Sequence, residues 1–149
     1  MESLRDQVIR GKNFDAVQLG TWSDLMEYKL DQPKARGKVF LKDLLNFSGM
    51  EVSVNSFPPG VSMPFHHKHK ENEEVYIFVK GSGQFQIDDT TIDVKEGTVI
   101  RVAEEGVRIW RNNSTENLYF ICIQAKAGSL QSGTIEDGIL VDQPIHWED

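Results

Sequence analysis

Cysteine is almost missing from this chain: Cys122 is the sole one in 149 residues. A framework of internal disulfides is therefore excluded, which fits a reducing compartment. Positive charge is short as well. Lys+Arg number 16 against 23 Asp+Glu, giving a net charge of −7 and a pI near 5.1. Nucleic acid and anionic membrane surfaces both need a basic face, so neither is an expected partner. Long apolar runs are lacking. The longest, Leu118–Ile123, is far too short to span a bilayer. The first ten residues are charged throughout and have no apolar signal-peptide core. These absences predict a soluble, cytoplasmic protein of one domain. Histidine is scarce too, yet three of the four fall together at His66, His67 and His69.

What is present is a period of two. Residues 1–49 are irregular: Val17–Leu19 suggests a short strand, and Ser23 an N-cap for a helical turn over Asp24–Leu30. Pro33–Gly37 reads as a loop, Val39–Phe40 is too short to classify, and Lys42–Asn46 suggests a helical turn. From Met50 onward, short alternating segments follow one another. They are Met50–Phe57, Met63–His69, Glu74–Lys80, Gln84–Ile87, Thr91–Val94, Thr98–Val102, Val107–Trp110 and Leu118–Gln124. Turn residues rich in Gly, Pro, Asp and Asn separate them. No long helix is available for a βαβ crossover, so the pattern predicts an all-β antiparallel sandwich or barrel. The tail, 128–149, carries Ile139, Leu140, Val141, Ile145 and Trp147 and is expected to pack on the barrel.

Within Gly60–Gly81, His67 and His69 are two apart and share a side of an extended chain. Glu74 opens the next strand. Two imidazoles and one carboxylate suit Fe, Mn, Zn or Ni. Parity groups Met63 and Phe65 with these histidines, Tyr76 and Phe78 with Glu74, and Trp110 with Arg108. If each set points inward, a polar cluster sits in an aromatic cup, a plausible small-molecule site. His66, Lys68 and Glu73 would then face outward, unless a bulge shifts the register and brings His66 or Glu73 inward.

The spacing Gly60-x5-His66, with His67-x-His69-x4-Glu74-x6-Gly81, resembles the first motif of the cupin superfamily. A weaker second match runs over 97–112. There Ala103 stands where that family usually has proline, Gly106 comes one residue late, and Arg108-x3-Asn112 closes the motif. The resemblance implies a double-stranded β-helix, or jelly-roll barrel, over 50–127, with an N-terminal extension (1–49) and a C-terminal tail (128–149). It implies His67, His69 and Glu74 as ligands of one divalent transition metal, and it puts Arg108 where the family's fourth ligand, a histidine, is expected. Arginine has donors only and cannot coordinate a cation. The resemblance also implies a homodimer.

Three readings of the cluster stay open. In one, the metal is bound and Arg108 fixes a carboxylate or enolate of a small anionic molecule, with Phe65, Tyr76 and Trp110 around it. In another, no metal is held and Glu74 pairs with Arg108 in a small-ligand-binding or sensor module. In the third, His66 replaces the missing ligand and Arg108 turns outward. A purely structural barrel filled by its own side chains is a further possibility. Phe65 and Trp110 also fit plain packing roles, and Cys122 reads as a small buried hydrophobe. Gln84, Gln86 and Gln124 fit either the cavity or solvent, and His146 reads as a surface residue.

Overall fold

The computed structural model describes residues 3–32 and 34–148. Two sheets face each other. The larger has the order β10-β7-β12-β6-β5: β5 is Lys38–Phe40, β6 Glu51–Phe57, β7 Asn72–Lys80, β10 Val99–Val102 and β12 Leu118–Lys126. The smaller has the order β11-β8-β9: β8 is Ser82–Ile87, β9 Thr90–Lys95 and β11 Arg108–Arg111. All these pairings are antiparallel. The expected all-β jelly-roll barrel is the observed fold.

Alternation builds the core. On β7, Glu74, Tyr76 and Phe78 are buried, while Val75, Ile77 and Val79 face the other side. Opposite residues in a sheet share a face, so Cys122 and Ser53 continue the row begun by Tyr76, and Phe120 and Asn55 the row begun by Phe78. Together with Phe85, Val94, Ile100, Val102, Trp110 and Leu118 from both sheets, these aromatics form the inner core. Phe85 and Trp110 stack with their rings 3° from parallel. The tight turn between β7 and β8 needs glycine at Gly81, which has φ +87° and where a Cβ would collide with the Asn117 carbonyl.

The N-terminal extension is part of the domain. It contributes β5 to the larger sheet and covers that sheet's outer face with Leu25, Val39 and Leu44, packed around Tyr119. Several local expectations change here. Val17 and Leu19 are not strand residues; β2 is Asp15–Ala16, paired with β1, Ile9–Arg10, and the two apolar side chains are used in the outer cluster. The helical turn is a 3-10 helix, Trp22–Glu27, capped by Thr21 and not Ser23. The Thr21 amide and hydroxyl both donate to Asp24. Leu30 lies in β3, Lys29–Asp31, which pairs with β4, Lys34–Arg36. The expected loop is thus a hairpin arm, and Pro33 falls outside the described residues.

Two larger expectations fail. Met63–His69 is not a strand but an extended segment tied to β11 by isolated bridges at Ser62–Arg111 and His67–Arg108. Pro64 lacks an N–H and interrupts a ladder. The tail does not pack on the barrel: no strand forms at Gly138–Val141, and Leu140 is 100% exposed. Ile135, Ile139, Val141, Ile145 and Trp147 are exposed with it.

Candidate metal centre

Glu74 is the hub. It lies on β7 between Val102 of β10 and Gln124 of β12, in the middle of the larger sheet, and is 4% exposed. Its Oε1 accepts a hydrogen bond from the Tyr76 hydroxyl at 2.8 Å and is hydrogen-bonded to His69 Nε2 at 2.9 Å. His67 Nε2 is 3.7 Å and Arg108 Nη2 3.6 Å from the same oxygen. The Cys122 thiol donates to Oε2 at 2.9 Å.

The histidines reach the site from the segment before β7, held by backbone. The amides of His67 and Arg108 each donate to the other's carbonyl, at 3.1 and 2.9 Å. The His69 amide donates to the Glu104 carbonyl at 3.1 Å. Their rings lie 5.4 Å apart at 83°. His67 also stands edge-on to Trp110, 5.9 Å away. Ligand atoms of His67, His69 and Glu74 all lie within 4.8 Å of one another. Zn–N and Zn–O bonds are about 2 Å long, so donors of one ion sit roughly 3 Å apart. Both Nε2 atoms already face one ionised oxygen, and the set fits a divalent ion with only side-chain adjustment.

Burial pushes the Glu74 pKa up, but donors from His67, Cys122 and Tyr76 and the charge of His69 outweigh it and hold the carboxyl at about 2. It is therefore ionised at neutral pH, as a ligand must be. Burial, then the adjacent Glu74, push the Cys122 thiol well up, so it remains a protonated donor and no nucleophile. Burial and the neighbouring Cys122 and Glu74 also raise Tyr76 far above the usual phenol range. A pH prediction follows for the metal-free protein. The folded pKa of Glu74 lies below its ordinary 4.5, so its contribution of about 3 kcal/mol is complete above that value and is lost as pH falls toward 2. Urea denaturation at pH 7 and pH 2.5 should show this loss in the wild type and a smaller one in Glu74→Gln. Equal losses would remove Glu74 as the cause.

Arg108 enters from β11, in the facing sheet, and is 0% exposed. Its Nη2 makes a long hydrogen bond of 3.4 Å to the Ala103 carbonyl, while Nε and Nη1 are buried without any partner. It does not turn outward. His66 is exposed, Lys68 pairs with Glu105 at 2.8 Å on the outside, and Glu73 pairs with Arg101. The alternatives that bring His66 or Glu73 inward are thus overturned: β7 runs without a bulge from Asn72 to Phe78.

Of the aromatic cup, Tyr76 and Trp110 are in place, and Trp110 Nε1 is buried without a partner. Phe65 is not; it is 55% exposed, its ring 6.3 Å from His67, on the stretch between the bridges at Ser62 and His67. Gln84 is tied to Arg111 and Asp93, and the Gln124 carbonyl accepts from Asn72 at 2.9 Å. His146 is exposed. One contact of the site was not evident from the sequence: that of Cys122 with Glu74, which follows only from the pairing of β12 with β7.

Comparison with known proteins agrees with this fold. The Cupin domain family model matches residues 53–124. A cupin protein from Bacteroides fragilis is 41% identical, with a TM-score of 0.67 over 70% of this chain and 88% of that one. The plu4264 protein of Photorhabdus luminescens shares the fold at 13% identity, with a TM-score of 0.55 over 85% of this chain and 87% of its own. The cupin domain of Schizosaccharomyces pombe Cnp3 does so at 18%, with 0.53 over 60% and 63%. No curated protein matches the sequence.

Proposed function

The chain belongs to the cupin family, and from that premise we propose that its barrel holds one divalent transition metal on His67, His69 and Glu74 and binds a small organic anion against Arg108. The observation that carries this reading is the state of Arg108. A fully buried guanidinium with two donors lacking partners, beside three converging metal ligands, is incomplete without an acceptor. A carboxylate oxygen placed there would accept a charge-assisted hydrogen bond from a donor that otherwise has no partner. It would also offset the repulsion between the guanidinium and a cation bound at Glu74.

A metal bound here supplies a Lewis acid that polarises a ligand oxygen. The protein's own residues do the rest. Arg108 orients the anion, Tyr76 and Cys122 keep the Glu74 carboxylate in place, and Trp110 walls His67 from the core. Half-exposed His67 and His69 leave the side toward solvent open. The same reading has the protein act as a cytoplasmic homodimer, the exposed apolar tail offering surface for a second copy.

A metal-free anion-binding module is the rival, and one observation favours it: Glu74 Oε1 is hydrogen-bonded to both Tyr76 and His69, with the Arg108 guanidinium 3.6 Å away. Elemental analysis of purified protein, followed by calorimetric titration with Fe(II), Mn(II), Zn(II) and Ni(II), separates the two. About one equivalent of one metal per chain is expected for a three-ligand site. Propionate binding with no metal uptake from any of the four would establish the rival.

A further inference from the structure

The outer face of the larger sheet is only half covered. Residues opposite each other share a face, so the register lines up Val99, Ile77, Ile121, Val54 and Val39 in one apolar row across all five strands. Beside it run Arg101, Val75, Ile123 and Val52. The N-terminal extension buries one end of the first row: Val39 belongs to its cluster and Val54 packs against it. Toward β12, β7 and β10 the cover stops. Val75, Ile77, Ile121 and Ile123 are half-exposed although they lie on interior strands, and Val99 on the edge strand is 60% exposed. Where the cover ends, a groove of about 300 Å³ opens, lined by Leu19, Trp22, Leu25, Val54 and Ile121. Groove and row share Val54 and Ile121, so one apolar track runs from Trp22 to Val99. At its margin Arg101 pairs with Glu73 at 2.8 Å. An apolar centre with a charged rim is the anatomy of an interface.

The same chain holds a segment of matching character. The tail follows β12 and carries seven large apolar side chains, from Leu130 to Trp147, each at least 75% exposed. Together they offer on the order of 700 Å² of apolar surface, near the roughly 800 Å² that each partner gives to a stable interface. Its charged residues are Glu136, Asp137, Asp142, Glu148 and Asp149, so every Lys and Arg of the chain lies in 1–127. Two such tails repel each other, whereas the open face presents Arg101, with a side chain 63% exposed. Tail and face occur once per chain. Two copies that exchange tails leave neither bare and close with two-fold symmetry, while a foreign partner on the face leaves the tail uncovered. Five strands are about 20 Å wide, and a chain the length of the tail reaches about 70 Å when extended.

We propose that the C-terminal tail of each copy lies across the open outer face of a second copy's larger sheet, along the track from Val99 through Ile77 and Ile121 to the groove at Trp22. This rests on the homodimer reading and is independent of the metal.

Light scattering over a dilution series of the full chain compares the wild type with two variants, Leu140→Asp with Trp147→Asp, and Val99→Asp. All three positions are exposed, and circular dichroism checks the fold. The wild type is expected to be a dimer, and each variant to raise its dissociation constant at least about a hundredfold. A crosslink locates the contact, and it needs no folded aspartate variant. Chains with Val99→Cys are mixed with differently tagged chains carrying Leu140→Cys, and a flexible bis-maleimide is added; the native Cys122 is buried. The mixed-tag product is expected to dominate. A product joining two Val99→Cys chains in its place, no mixed-tag product, or a dimer of undiminished strength in a folded aspartate variant overturns the tail assignment and leaves the homodimer standing. A wild-type monomer at every concentration removes both. The metal reading is tested separately, by elemental analysis.

Discussion

Glu74→Gln and His69→Ala should each take metal content from near one equivalent per chain to under about a tenth. Loss of a partner that only orients a metal ligand already costs about 10- to 100-fold in affinity, and loss of a ligand itself costs more. Gln is nearly the same size as Glu, so the barrel keeps its packing. It brings a neutral oxygen and an NH2 group into a space where Tyr76, His69 and Cys122 all converge on acceptors. The resulting mismatch is expected to destabilise the fold by about 1–3 kcal/mol, short of unfolding a typical domain. His66→Ala is the control: His66 is exposed, and this variant should retain full metal. Cys122→Ala removes the donor on Oε2 that holds the carboxylate and should weaken metal affinity by about 10- to 100-fold. Elemental analysis together with calorimetric titration reads all four variants. If His66→Ala lost the metal and His69→Ala kept it, the ligand set proposed here would be wrong.

Arg108→Met should abolish binding of a small carboxylate without the stability loss that breaking a buried ion pair usually brings. Removing one partner of such a pair typically costs about 3–5 kcal/mol, because the other charge is left buried and alone. Here that penalty is offset from two sides. Glu74 keeps Tyr76, His69 and Cys122, and its separation from Arg108 Nη2 is 3.6 Å, beyond hydrogen-bond length. The arginine also holds two buried donors without partners, each costing about 1–3 kcal/mol while unsatisfied. The ligand-free variant should therefore melt at or above the wild-type temperature. Propionate affinity should fall by about 10²–10⁴, the equivalent of two charge-assisted hydrogen bonds. Differential scanning calorimetry and titration calorimetry measure the two effects separately. A large drop in melting temperature with propionate affinity unchanged would make Arg108 a structural counter-ion and remove the ligand role. The predicted pattern is that of a residue kept for function at some cost to stability.

The two motifs carry their information in different ways. Gly60–Gly81 is local. His67 and His69 share a side because they are two apart, and Glu74 faces inward because β7 alternates without interruption from Asn72 to Phe78. Those relations hold for any extended chain, so the His67, His69 and Glu74 cluster was legible before folding was considered. Phe65 shows the limit of the same rule. It shares the parity of Met63 and His67, both held to β11, and is exposed all the same, since alternation gives the side a residue faces and not how deeply it is buried. The exposed tail shows another: apolar composition at Ile139, Leu140 and Val141 states a preference for burial, not a partner to be buried against.

The sequence by itself determined the all-β barrel, the pairing of His67 and His69 with Glu74, and the presence of an arginine where a fourth ligand was expected. These depend on a period of two and on residue chemistry alone. Only the tertiary structure decided where Arg108 and its surroundings lie. That the guanidinium points inward with two free donors depends on β11 facing the larger sheet from the opposite side. That Cys122 donates to Glu74, 48 residues away, depends on the register of β12 against β7. Long-range register is set by which faces can be buried together, and no local pattern contains it.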